Sequence, residues 1–311
     1  MADKKRIEYL DVMRAIAMLW IVVIWHNSVV NTSIIFFRFI TYGVLAVFVF
    51  MSAYLTTDVE SSKVYYRKKL KKFYPVFAVS CITLYILHII NSSYVYIESF
   101  PQLLLSLTGL SCFTGNMPLT IWFFCMILLF YAITPLLLKN KYKWLIAIVI
   151  EIILIIGNLF LTFDERLFAY FPFYVIGLLL KDEYKKYNDI SAFIRILIII
   201  CGIGCSLITL YNADNVMTLM LSGLFCGLAI IEISKHLAHF KIVTNTARWL
   251  AYVSTFSYLF HRQFYVVLGT IGRHFPISTI LLKVAMPIAV LCFSYIGQRL
   301  YDTYIMKPKI K

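Results

Sequence analysis

The chain has 311 residues, of which 61% are hydrophobic, 17% aromatic and only 14% charged, with a mean hydropathy of +0.83. A soluble domain is nearer half apolar and about a quarter charged, so this composition excludes an ordinary water-soluble globule and points to a polytopic membrane protein. The net charge of +14 is spread as a topology signal and implies no nucleic-acid partner.

Windows of about 19 residues place apolar spans near 10–30, 34–56, 73–92, 118–138, 143–163, 167–181, 192–211, 215–234, 249–270 and 277–299. The expected fold is therefore all-α: a polytopic bundle of about ten transmembrane helices, forming a single domain over 1–311. The first run lacks a small-residue cleavage site and continues into Asn27-Ser28, so it reads as a true span. The sixth is short, as a tilted, broken or buried helix would be. The run Leu103–Phe113 is too short to cross and reads as an interfacial or re-entrant piece. With the N-terminus in the cytoplasm, the inside segments take Lys4–Arg6, Lys63–Lys72, Lys139–Lys143, Lys181–Lys186, Lys235–Arg248 and Arg299–Lys311. Only Arg166 and Arg273 are left in outside loops, so both termini are expected to be cytoplasmic.

An ionisable group at the centre of a span costs about 2.5–3.5 kcal/mol on insertion scales, so each one asks for a partner or a role. In chain order, Asp11 and Arg14 come first, three apart on one helical face. They read either as an ion pair with Arg14 snorkelling to the inner surface or as part of a site. His26 lies near the other end of that span, followed by Asn27. It is either a satisfied structural histidine or a group placed to move a proton near neutral pH. Six cations between Lys63 and Lys72 precede the third span. They read as a lipid-headgroup clamp or as a phosphate site at the mouth of a cavity. Glu151 is a candidate counter-charge for an intramembrane cation, Glu232 sits near an inner span end, and His261 lies midway along the ninth span. The seven cysteines have no CxxC spacing and read as small apolar fillers, with no metal site.

Six stretches occur in a telling order: "YLDVMRAIAMLWIVVIWH" (9–26), "VFVFMSAYLTT" (47–57), "YYRKKLKKFYP" (65–75), "WFFCMILLFYAITPLL" (122–137), "YFPFYVIGLLL" (170–180) and "FSYLFHRQF" (256–264). Together they resemble the acyltransferase-3 family of integral membrane O-acyltransferases. The resemblance implies acetyl-CoA as a cytoplasmic co-substrate, its phosphates meeting Arg67, Lys68, Lys69 and Lys72 with help from Arg14, itself held by Asp11. It implies His26 as general base or acyl carrier, with Asn27, Trp122, Glu151, Tyr258 and His261 as further cavity residues. The acceptor implied is a hydroxyl of a cell-surface polysaccharide or lipid-linked glycan, and the setting is a plasma membrane, while the Ile/Lys/Phe/Tyr-rich composition is compatible with a bacterial source. A rival reading is a transporter or exporter of a glycan or acyl metabolite, although no matching halves are visible. A third is a structural partner in an envelope assembly.

Three departures from the family pattern stand out. Ser52-Ala53 replaces its usual Ser-Gly. The paired arginines before the third span fall on Lys69 and Lys72, which keep the charge but lose the bidentate fork. The third concerns the first span, where the family separates a basic residue and a histidine by ten residues. Eleven lie between Arg14 and His26 here, and Trp25 takes the histidine's place. On a straight α-helix, twelve steps of about 100° put Arg14 and His26 roughly 120° apart. A π-bulge that absorbs the extra residue is the expectation. A straight helix with His26 facing lipid is the contrary outcome.

Overall fold

The computed structural model describes residues 7–27, 34–56, 59, 61–92, 94, 96–115, 117–118, 120–180, 186–187, 189–212, 215–274 and 279–306. Among them there is helix and no strand. The helices are α1 (Glu8–Leu19), a π turn (Trp20–Trp25), α2 (Ile35–Tyr54), α3 (Ser62–Ile90), α4 (Phe100–Thr108), a 3₁₀ turn (Leu110–Phe113), α5 (Trp122–Lys139), α6 (Lys143–Phe160) and α7 (Glu165–Leu179). They continue as α8 (Ala192–Asn212), α9 (Val216–Leu237), α10 (Lys241–His274), α11 (Thr279–Tyr301) and a second π turn (Asp302–Met306).

Seven of these, α2, α3, α5, α6, α8, α9 and α11, are long and apolar enough to cross a membrane. The helices outside that set include α1, α7 and α10, each for a legible reason. The π turn cuts α1 short, α7 has only 15 residues, and α10 carries Ser254, Thr255, His261, Arg262 and Gln263 along its middle. Of these three helices, α1 carries Asp11 and Arg14, α7 Arg166, and α10 His261, Arg262 and Gln263.

A lipid-facing helix gains nothing from an apolar neighbour, so close backbone approach and van der Waals contact hold such bundles together. The fold follows that rule. Helix α2 packs on α7 and α9, while α1 packs on α10, which in turn packs on α11. A Cβ on Gly177 of α7 would stand 2.5 Å from the Phe50 carbonyl oxygen of α2. One on Gly43 of α2 would stand 2.4 Å from the Cβ of Cys226 on α9. The helices α6, α8 and α11 turn most of their surface outward, presenting Ile, Leu, Val and Phe. Cys81, Cys112, Cys125 and Cys226 are buried fillers, while Cys201, Cys205 and Cys292 are exposed, and all seven are free.

The short Leu103–Phe113 run forms α4 and the 3₁₀ turn, joined at Gly109 with φ +76. It packs against α3 and α5. Glu232 is 7% exposed and bridges Arg195 at 3.3 Å and Lys235 at 2.7 Å. That cluster ties α8 to α9 and accounts for this carboxylate structurally. Ser28 and the basic residues Lys4–Arg6, Lys181, Lys185 and Lys307–Lys311 lie outside the described residues.

The glycine contacts give a test. Gly177→Ala is expected to lower the thermal midpoint of the detergent-solubilised protein, since overpacking costs about 1–3 kcal/mol. Gly204→Ala, whose Cβ meets nothing within 4 Å, is expected to leave it unchanged or slightly raised.

Candidate functional site

The site starts from the register of the first helix. It is α-helical through Leu19, then opens into six π residues closed by a 3.1 Å bond from His26 N–H to the Ile21 carbonyl. An i→i+5 turn takes about 4.4 residues, or about 82° each. Six such residues remove about 108° of the roughly 120° excess. The expected bulge is present, and His26 returns to the face that carries Arg14. Side chains pin the turn at its start and along its length. Trp20 Nε1 donates to Thr41 Oγ1 at 2.9 Å. The Tyr265 hydroxyl donates to the Val22 carbonyl, which satisfies a backbone group that the wide turn frees. Just beyond, buried Asn27 donates to the Lys283 carbonyl at 2.6 Å. It fastens this end of the helix to α11.

Below the turn lies a cavity of about 170 Å³. Arg14, Lys69 and Lys72 line it together with Phe48, Phe123, Phe124, Tyr131 and Tyr258. Helix α3 begins at Ser62, so the basic run is helical and Lys69 and Lys72, three apart, share a face. Lys69 Nζ sits 4.0 Å from the centroid of the Tyr131 ring and donates to Thr56 Oγ1 at 3.0 Å. The aromatic face and the hydroxyl make a cation tolerable in this low-dielectric setting. Arg67 and Lys68 point away on the exposed face of α3 and do not line the cavity.

Tyr258 is boxed by Phe123 at 5.4 Å, Phe124 at 5.3 Å and Phe48 at 6.2 Å between ring centroids. On its far side, at 5.8 Å, is the ring of His261. His261 is fully buried and its Nε2 lies 2.7 Å from His26 Nδ1. The imidazoles are inclined by only 16° with centroids 4.7 Å apart. With nitrogens this close, the contact is an edge-to-edge hydrogen bond rather than a face-to-face stack. The two histidines singled out in the sequence are therefore direct partners, and His261 lies about one helical turn past Tyr258, which lines the cavity.

The other singled-out residues are dispersed. Asp11 is half-buried on α1, one turn before Arg14. Trp122 stands apart from the cavity, with the Arg166 guanidinium 4.3 Å from its ring centroid. Arg166 is in turn forked onto Asp164 at 2.7 and 2.5 Å. Glu151, on α6, has a buried carboxylate oxygen without a hydrogen-bond partner and makes no ion pair among the described residues. Sequence reasoning passed over Tyr265 and Tyr131, whose roles depend on contacts more than a hundred residues distant or on a cation brought close by folding. It also passed over Arg262, whose Nε is buried without a partner and whose guanidinium lies 5.9 Å from the Tyr96 ring. No group of three His, Cys, Asp or Glu side chains suited to a metal occurs among the described residues.

A family model described as an acyltransferase domain matches residues 7–299. No curated protein and no solved structure matches significantly. The match runs from the start of α1 almost to the end of α11, across the π turn, the basic helix and both histidines: the chain belongs to the acyltransferase-3 family.

Proposed function

We infer that this membrane acyltransferase moves an acetyl group from acetyl-CoA to a hydroxyl of a surface polysaccharide or lipid-linked glycan. The observation that carries the reading is the single line from three cations, through an aromatic cavity, to a hydrogen-bonded histidine pair. In this reading the chain makes about ten passes, counting α1, α7 and α10, through a bacterial plasma membrane as one domain. Both termini and the end of the bundle carrying Lys69 and Lys72 face the cytoplasm.

The residues suit such a donor. Arg14, Lys69 and Lys72 supply point charges for phosphates. Aromatic rings and the three cations line the cavity together, so a pantetheine arm can lie against the rings while the nucleotide stays with the cations at the mouth. The π turn shortens the axial separation of Arg14 and His26 below the roughly 18 Å of a straight α-helix, a span that arm can reach. Tyr258 stands between the cavity and the histidines, so its ring must swing aside for a thioester to reach them.

His26 then takes the proton of the acceptor hydroxyl as its oxygen attacks the thioester carbonyl. The C–S bond breaks, and His26 returns the proton to the leaving thiolate. Alternatively His26 itself accepts the acetyl group and releases it to the hydroxyl in a second step. In both cases atoms balance to acetylated glycan and free CoA.

The test is acetyl transfer from radiolabelled acetyl-CoA to a crude surface-glycan extract by purified protein. His26→Ala is expected to abolish transfer while retaining CoA binding. Unchanged transfer by His26→Ala would remove His26 from the chemistry. The double variant Lys69→Gln/Lys72→Gln is expected to weaken CoA binding about ten- to a hundredfold, since a hydrogen bond to a charged group is worth about 1.5–3 kcal/mol. Arg67→Gln, outside the cavity, is expected to bind CoA as the native protein does. Deleting Val23 restores the ten-residue spacing and allows a regular helix. That variant is expected to stay within about tenfold of native activity, while an alanine inserted there, adding about 100° of turn, is expected to abolish it.

A further inference from the structure

The hydrogen bonds around His261 determine which nitrogen of His26 is free to react. His261 Nδ1 lies 2.7 Å from the Tyr258 carbonyl oxygen and 3.2 Å from that of Ser257. A carbonyl oxygen only accepts, so Nδ1 of His261 carries the hydrogen. The opposite assignment would set its lone pair against two carbonyl lone pairs in a site sealed from water, leaving buried acceptors unsatisfied. A neutral His261 therefore has a bare lone pair on Nε2. That nitrogen is 2.7 Å from His26 Nδ1, so His26 Nδ1 must be the donor. In neutral His26 the remaining nitrogen, Nε2, is then an unprotonated lone pair, and it makes no hydrogen bond among the described residues.

We propose that His261 is a positioning residue that holds His26 as its Nδ1–H tautomer, making Nε2 the reactive nitrogen. This deepens the acyl-transfer reading and rests on it for its catalytic half. Among the described residues no carboxylate touches either ring. The orienting part that an aspartate plays in a serine hydrolase thus falls to a neutral imidazole backed by two helix carbonyls. When His26 Nε2 takes a proton, the charge is shared along the Nδ1–H···Nε2 bond to His261, whose own N–H already points at those carbonyls. Tyr265 braces the arrangement. Its ring meets the edge of His261 at 5.8 Å and its hydroxyl holds the Val22 carbonyl in the π turn, so one side chain fixes both partners. Gln263, two residues along, holds α10 to α3 by donating to Ser80 Oγ at 2.9 Å.

The direct test is solid-state NMR on ¹⁵N-histidine-labelled full-length protein in lipid bilayers, with signals assigned by His26→Gln and His261→Gln. Native protein is expected to show His26 protonated at Nδ1 and bare at Nε2, with a correlation through the hydrogen bond to His261. His261→Gln keeps an acceptor oxygen and is expected to preserve that tautomer. His261→Leu removes the acceptor and is expected to shift His26 toward Nε2–H. In transfer assays His261→Leu is expected to lower kcat about a hundredfold with donor KM unchanged, and His261→Gln to recover most of it. A native His26 protonated at Nε2, or a tautomer indifferent to His261→Leu, would overturn the proposal. Equal loss of kcat in the Leu and Gln variants would overturn its catalytic half. The expected tautomer in a protein that transfers nothing supports the assignment and counts against the acyl-transfer reading alone.

Discussion

A six-residue π turn sets the register on which the rest of the site depends. Arg14 and His26 are separated by one residue more than a regular helix can absorb if both are to share a face. The wider turn removes most of that excess, and its cost is met locally. Thr41 takes the Trp20 indole, Tyr265 takes the freed Val22 carbonyl, and Asn27 is bound to α11. Without this correction the guanidinium would line the cavity while the imidazole faced another direction. With it, one helix supplies both ends of a single path.

The path also resolves how ionisable groups are accommodated in an apolar bundle. The cations that line the cavity include Lys69, which has an aromatic face and a hydroxyl, while Arg262 beside the histidines lies against the Tyr96 ring. Carboxylates away from the cavity follow two patterns: Glu232 neutralises Arg195 and Lys235, while Glu151 is left without an ion pair among the described residues. The histidines satisfy each other and the α10 backbone, so they need no charged partner inside the membrane. The helices too short or too polar to count as independent spans, α1, α7 and α10, are sheltered by helices that do.

The helical membrane fold was legible because apolar length and loop charge act locally. The family was legible because its signatures recur in order across residues 9–264. The bulge was legible too, since a count of eleven instead of ten forces either a π turn or a misplaced histidine. What the chain could not reveal was pairing. Nothing near residue 26 indicates that its partner is 235 positions away, nor that Tyr265 reaches the Val22 carbonyl. The basic run looked uniform, yet helical geometry divides it. Lys69 and Lys72 line the cavity, Lys72 while still exposed, and Arg67 and Lys68 do not. Asn27, read as cavity lining, is a backbone fastener, because its amide finds the Lys283 carbonyl first. Trp122, read the same way, is occupied by Arg166.

A structure of the protein in bilayers with a hydrolysis-resistant acetyl-CoA analogue tests the central claim most directly. The account predicts the phosphates among Arg14, Lys69 and Lys72, the Tyr258 ring displaced, and the acyl carbon within reach of His26 Nε2. An analogue bound elsewhere, or an arm halted below an unmoved Tyr258, would contradict it.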